Sequence, residues 1–516
     1  MKALKGLLIY IGIVLAMILG IAILLFAGMY FFPSFRIMGV GVVHGSADSQ
    51  GTIATLSDYS GYSQIELNVS SKQFNINIDV GDEEDITYKM KKEVFGIAFD
   101  ITEYRLLKDI SLDGSTLKIS LIVTEPEGLI SNNSSYLNIV VPRSANYSML
   151  INTTAGTVGI GASGTMNNIK NLTVTTNTGK FSISGVGTEG VENSATLNLT
   201  SLNLTTGRGN FNLTGVNDLR VTNTIKLQSN NGTFTFDKVR GSFEVTGKGL
   251  KLDAKEIIAD YNGFKFISEN GFFNIGKIVT PVGAENTIVT ENCDVKIDEI
   301  SGRTGIITTY GNITIGVLND YSTMQSEHGN VTITKAKDDI NIDTEFGNIT
   351  VSSYEKNGRF ISKRGNIDVK STGEYKQGVY TQIENTEGSI TVDNKINRLL
   401  VTTYGSSRVE ITYREIKGGL TNPLDVFQHK VSLNKYSTAT IYMPTQNYNT
   451  PFKFIAKGDI SGEISGLIPE YGGDKVKSSD DFQYFPSASK ENEELCRQSC
   501  YFEFYGTIVF RGYLNA

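Results

Sequence analysis

From about residue 150 the chain alternates apolar and polar residues in short runs, each hinged on a glycine. At +2 and +4 from the glycine stand apolar pairs: Val158 and Ile160, Phe181 and Ile183, Phe211 and Leu213, Ile313 and Ile315, Val331 and Ile333. At −5 an apolar residue recurs, among them Ile151, Val174, Leu204, Ile306 and Ile342. Period two predicts strands with one buried face. The buried positions are odd before the glycine and even after it, so the strand changes face there. That predicts a corner, with glycine supplying its backbone angles. In this reading Lys248 and Cys293 occupy the same frame, Gly405 continues it, and Thr402 stands at its −3 position.

From Cys293 through Gly311, Gly329 and Gly347 to Gly365 the interval is eighteen residues. A unit that short cannot enclose a core, but stacked units pair strand on equivalent strand around one interior. The prediction is an all-β chain, a β-solenoid of stacked parallel β-strand repeats with units of about 18 residues. Runs such as "FNINIDV" and "LKISLIV" suggest that residues 60–150 are an N-terminal β cap with the first rungs. Repeats then fill 151–414, and 415–516 reads as a C-terminal β cap with a polar loop.

The N-terminus follows another rule. No charge lies between Lys5 and Arg36, and residues 7–32 are almost wholly apolar. As a helix they would span about 39 Å, enough to cross a bilayer with tilt. No A-x-A site closes the run, which favours an uncleaved anchor. Lys2 and Lys5 favour a cytoplasmic N-terminus of residues 1–6. Residues 33–59 would be a juxtamembrane linker, with the C-terminal ectodomain outside the cell membrane.

Composition sharpens this picture. Fifty-three glycines and nine prolines in 516 residues suit strands and tight turns. A net charge of −7 without a basic stripe excludes nucleic acid as the natural partner.

The stretch "LNIVVPRSANYSMLINTTAGTVGI", followed by T-x-x-G-x-I-x-I units, resembles the bacterial putative-adhesin family of β-strand-repeat cell-envelope proteins. The likeness covers about residues 60–415. It implies exposure at the cell surface and an adhesive or envelope role, and brings no catalytic residues or cofactor with it.

Candidate chemistry is sparse. Ser or Thr recurs at −3, as in Thr153, Thr176, Thr308, Ser326 and Ser362. Catalysis needs one such hydroxyl, whereas a corner ladder needs one per turn. At −1, consecutive turns carry Tyr310, His328, Phe346 and Arg364, with Glu327 and Glu345 beside them at −2. Stacked about 4.8 Å apart, these form the best ligand-binding candidate. They could hold a glycan, a cell-wall polymer or a surface protein, or simply pack on one another, with Glu345 facing Lys363.

Cys496 and Cys500 could form a disulfide outside the cell. A metal site lacks ligands, and Cys293 reads as a small buried residue. N-x-[ST] triplets recur, including those at Asn312, Asn330 and Asn348. Asp338 and Asp339 are the only hint of a polysaccharide-active enzyme; a structural spacer or envelope-stress accessory acting with membrane partners is the other alternative.

Overall fold

The computed structural model describes residues 2–31, 40–98, 104–125, 128–131, 134–162, 165–185, 195–373, 379–395, 398–414, 427–444, 453–457, 460–462, 482–484 and 500–513. Among these residues the fold is all-β apart from one long N-terminal helix, Lys2–Phe31, and the short 3₁₀ turn Leu56–Asp58. Within the helix, Tyr10–Phe31 is long and apolar enough to cross a membrane, with a mean hydropathy of 2.8. The chain falls into two compact units, 1–239 and 240–516.

In the first unit two parallel ladders grow side by side. One joins Thr116–Thr124, Gln64–Ser71, Tyr147–Thr153, Ile169–Thr176, Thr196–Thr206 and Asp218–Ser229 in that spatial order. The other joins Tyr136–Pro142, Asn75–Gly81, Val158–Ala162, Lys180–Gly185 and Asn210–Leu213. Successive strands alternate between the ladders, which is the pairing of a coil with two strands per turn. Ile151, Val174, Leu204 and Leu227 fill the space between them from one side, and Val158, Phe181, Phe211 and Phe234 from the other, all fully buried. Phe181, Phe211 and Phe234 meet edge to face at 5.5 and 5.3 Å. Each such side chain contributes about 1.5–3 kcal/mol by burial.

The second unit repeats the scheme with a stricter period. Val295 pairs with Ile313, Ile313 with Val331, Val331 with Ile349 and Ile349 with Ile367, each eighteen residues on. The facing ladder runs through Met324, Ile342, Phe360 and Ile383. Phe427–Ser432 and Thr438–Pro444 continue both ladders towards Cys500–Tyr505 and Thr507–Tyr513.

The corner works differently from the sequence expectation. Of the marker glycines, only Gly271 and Gly388 have left-handed φ, at 137° and 133°. The others are required because the neighbouring turn passes too close for a side chain. A Cβ at Gly329, Gly347 or Gly365 would lie 1.9–2.0 Å from the carbonyl oxygen of the marker one turn earlier. The glycines therefore face inward in a column of backbone against backbone. The two residues before each one point out, which produces the change of face. The −3 hydroxyl completes the turn by accepting the marker N–H, as at Thr153–Gly156 (3.0 Å), Thr176–Gly179 (2.8 Å), Thr308–Gly311 (3.0 Å) and Ser326–Gly329 (2.9 Å).

Three positions depart from the expected frame. Lys248 is exposed; the carbonyl of Leu250, a buried residue, approaches Gly271 in the marker's place, where strand continues with no turn. At Gly405 the frame slips, by one residue before the corner and by two after it. Asn385 pairs with Thr403 and Gly388 with Ser407, so the buried hydroxyl is Thr403 rather than Thr402. Residues 41–54, expected within a linker, form a strand antiparallel to Ile86–Ala98. Its middle is exposed, so the alternation that would mark it in sequence is missing.

The frame begins earlier than its first glycine. Phe74 stands at the marker position, and its N–H donates to Ser71 Oγ at 2.9 Å. The buried Glu125 carboxylate accepts the N–H groups of Lys72 and Gln73 at 2.8 and 3.0 Å and the Ser71 hydroxyl at 2.8 Å. Glu125 thus caps the start of the coil. Replacing it with Ala is expected to cost about 2–3 kcal/mol, the loss of charge-assisted bonds to buried donors. Urea unfolding would register that loss, and an unchanged midpoint would rule the cap out.

Candidate functional site

The four −1 residues come together as one external column in the second unit. Their spacing is set by the backbone: the N–H groups of Tyr310, His328, Phe346 and Arg364 donate to Glu291, Thr309, Glu327 and Glu345 carbonyls one turn earlier, at 2.7–2.8 Å. With Cα positions fixed at the strand spacing, the rings stack. Tyr310 and His328 lie 4.8 Å apart at 4°, and His328 and Phe346 lie 4.7 Å apart at 5°. The Arg364 guanidinium carbon sits 5.6 Å from the Phe346 centroid and closes that end.

The −2 carboxylates flank the column. Glu327 Oε1 is 3.5 Å from His328 Nε2, and Glu345 Oε1 accepts from Lys363 Nζ at 3.0 Å. Arg364 is 3.8 Å from Glu387 on the next turn. Tyr310 remains 54% exposed and Phe346 38%.

This geometry limits the chemistry. Nearly parallel rings stacked at this separation cover one another's faces, so sugar stacking on His328 would require breaking the column. What remains outward are ring edges, the Tyr310 hydroxyl and a row of charges. Such a surface suits a polymer or protein contacted along its length.

A second column lies alongside. Asn312 Oδ1 accepts the Asn330 N–H at 3.0 Å, Asn330 Oδ1 that of Asn348 at 2.9 Å, and Asn348 Oδ1 that of Asn366 at 2.8 Å. Asn312 in turn bonds Asp294. The recurring N-x-[ST] triplets therefore mark a ladder of structural amides, which the residue type at +1 announces once the turns are aligned.

The remaining candidates are dispersed. Asp338 pairs with Lys356 at 2.7 Å, and Asp339 accepts the Asn357 N–H and side-chain amide at 3.1 and 3.0 Å. Both carboxylates are engaged in joining turns. Cys293 is buried, and burial pushes its thiol up to about 12. The expected Cys496–Cys500 disulfide lies outside the described side chains.

No protein-family profile matches the chain, and no curated protein matches it. Solved structures similar to it include one described as a putative cell adhesion protein from Clostridium sporogenes. That protein is 13% identical, with 41% of this chain and 100% of that chain covered and a TM-score of 0.25. Two more are described as putative adhesins. The one from Parabacteroides merdae is 11% identical, with 63% and 96% covered and a TM-score of 0.25. The one from Parabacteroides distasonis is 9% identical, with 63% and 98% covered and a TM-score of 0.24. Likeness at these scores carries neither fold nor function, and the fold rests on the strand pairing above.

Proposed function

We propose that this chain is a non-enzymatic adhesin, a β-solenoid held to the cell membrane by its N-terminal helix and displayed outside the cell. It binds a polymer, either a glycan or a cell-wall component, or the surface of another protein. The observation that carries this reading is the exposed Tyr310–His328–Phe346–Arg364 column with its carboxylate border. One equivalent side chain per turn presents many weak contacts at a fixed interval, and a repeating partner can engage them together. Asp338 and Asp339 are each bonded to the next turn, which supports a structural role for them over the enzymatic alternative.

A spacer role is favoured by a different observation. Glu345–Lys363 beside the column, and Lys335–Glu355 and Lys356–Asp338 at the opposite turn, join successive turns from within.

The test is a pull-down with the full chain in lipid nanodiscs against cell walls, glycans and membrane extract, alongside Tyr310→Ala/His328→Ala/Phe346→Ala. The exposed column contributes about 1–3 kcal/mol through its two ring pairs, so the variant is expected to fold. Binding to a wall, glycan or surface protein that the variant loses supports the proposal. Retained binding discards the column, and recovery of only a membrane protein favours the spacer.

A further inference from the structure

The outer face of the first ladder in the first unit carries aligned columns of small polar side chains, and they are not equivalent. In one column the residues bond each other from turn to turn: Ser148 accepts from Asn171 at 2.8 Å, and Asn171 accepts from Ser201 at 2.8 Å. In the next, Asn203 donates to Thr173 at 3.4 Å. A third column runs Ser70, Asn152, Thr175, Thr205, Gln228, one residue per turn in direct register. Among the described residues, its side chains form no hydrogen bond within the chain.

That third column borders an open groove of about 560 Å³. Its other wall is the outward corner, including Thr154, Asn177 and Asn230, and Ile122 lies at one end beside Ser70. The groove crosses five turns, about 19 Å at the strand spacing. Lys72 supplies the sole charged group among its lining residues. A row of amides and hydroxyls left without internal partners, evenly spaced and uncharged, is suited to exchange hydrogen bonds with a ligand that carries many of its own.

We infer that this groove binds an uncharged glycan lying along the stack, with successive sugars meeting successive turns. A hexose in an extended chain advances about as far as one turn of the coil, so one register serves the whole groove. A polyanionic chain would find one cation here. This inference rests on the proposed polymer-binding role but places it in a different unit from the aromatic column.

The experiment uses the full chain in nanodiscs on an array of neutral oligosaccharides (β-linked glucan, mannan and xylan), with polygalacturonate as the acidic contrast. Thr175→Val/Thr205→Val/Gln228→Leu keeps shape and strand preference while removing the polar groups. It should weaken neutral-glycan binding at least about tenfold, the equivalent of one or two lost hydrogen bonds. Tyr261→Ser, at an exposed ring outside both columns, should bind these glycans as the parent does, and the Tyr310→Ala/His328→Ala/Phe346→Ala chain runs alongside. Failure of the parent to bind any neutral glycan, preference for polygalacturonate, or undiminished binding by the valine variant overturns the inference. Loss in the aromatic variant alone would return glycan binding to that column and remove it from the groove.

Discussion

Gly347→Ala is expected to destabilise the second unit by more than about 3 kcal/mol. The added Cβ would lie 2.0 Å from the Gly329 carbonyl oxygen and 2.8 Å from its carbon. Real Cβ contacts do not occur at such distances, and the obstacle is backbone rather than a side chain that can swing away. Relief would require the two turns to part, which would lengthen the ladder bonds beside Val331–Ile349. Overpacking a yielding core costs about 1–3 kcal/mol, and this site yields less.

Gly305→Ala is the internal control. Its nearest neighbour would be 3.7 Å away, and its φ lies outside the left-handed region. That variant should stay within about 1 kcal/mol of the parent, because the site has room and the unfolded chain loses freedom. Chemical unfolding of the two variants side by side measures the difference. Equal midpoints would refute close approach as the reason for the glycine column.

The second large effect is an acid sensitivity centred on His429. This residue is 4% exposed on Phe427–Ser432, with its ring edge-on to Tyr413 at 5.2 Å. Burial, assisted by the charge of Arg398, pushes its imidazole down to about 3. In the unfolded chain it would titrate near 6.5. Between those values the unfolded form takes up a proton that the folded form refuses. Stability present at neutral pH is therefore lost as pH falls below about 6.5, and the loss levels off near 3.

At pH 4 the loss amounts to about 3 kcal/mol from this group alone. Urea midpoints at pH 7 and pH 4 should separate in the parent. They should separate less in His429→Phe, an apolar ring at the position paired with Phe502. Parallel pH dependence in the two proteins would exclude His429 as the source.

Much of this architecture is legible in the sequence because its signals are local. Alternation around Gly311, Gly329 and Gly347 identifies strands, and their equal spacing identifies which residues lie one above another. The stacking of Tyr310, His328 and Phe346 follows from that alignment alone. What the sequence hides depends on neighbours a full turn away. The glycines looked like torsional necessities, but the constraint is a carbonyl on the previous turn, which no local pattern displays. Leu250 takes the marker's place within the continuous strand Thr233–Val279, where no glycine announces it, so spacing alone pointed to Lys248. Glu125 acts once rather than in every turn, and repetition cannot reveal it. Glu125 and Glu127 both follow the apolar strand Thr116–Thr124, and nothing local tells them apart. The unpaired polar column of the first unit was equally hidden, since Thr175 and Thr173 look alike until their partners are known.

The eighteen-residue register also makes reach a quantity that heredity can adjust in whole steps. Excising residues 330–347 would join Gly329 to Asn348, whose side chain bonds the next turn as Asn330 does. The following glycine, Gly365, would then face the Gly329 carbonyl instead of that of Gly347. An in-frame loss or gain of one turn would alter how far the second unit extends while keeping its glycine column and asparagine ladder in register. A deletion within 311–365 that is not a multiple of eighteen would misalign the columns it brings into contact. Lineages carrying such a coil can therefore vary in size by recombination between turns, with little need for compensating substitutions.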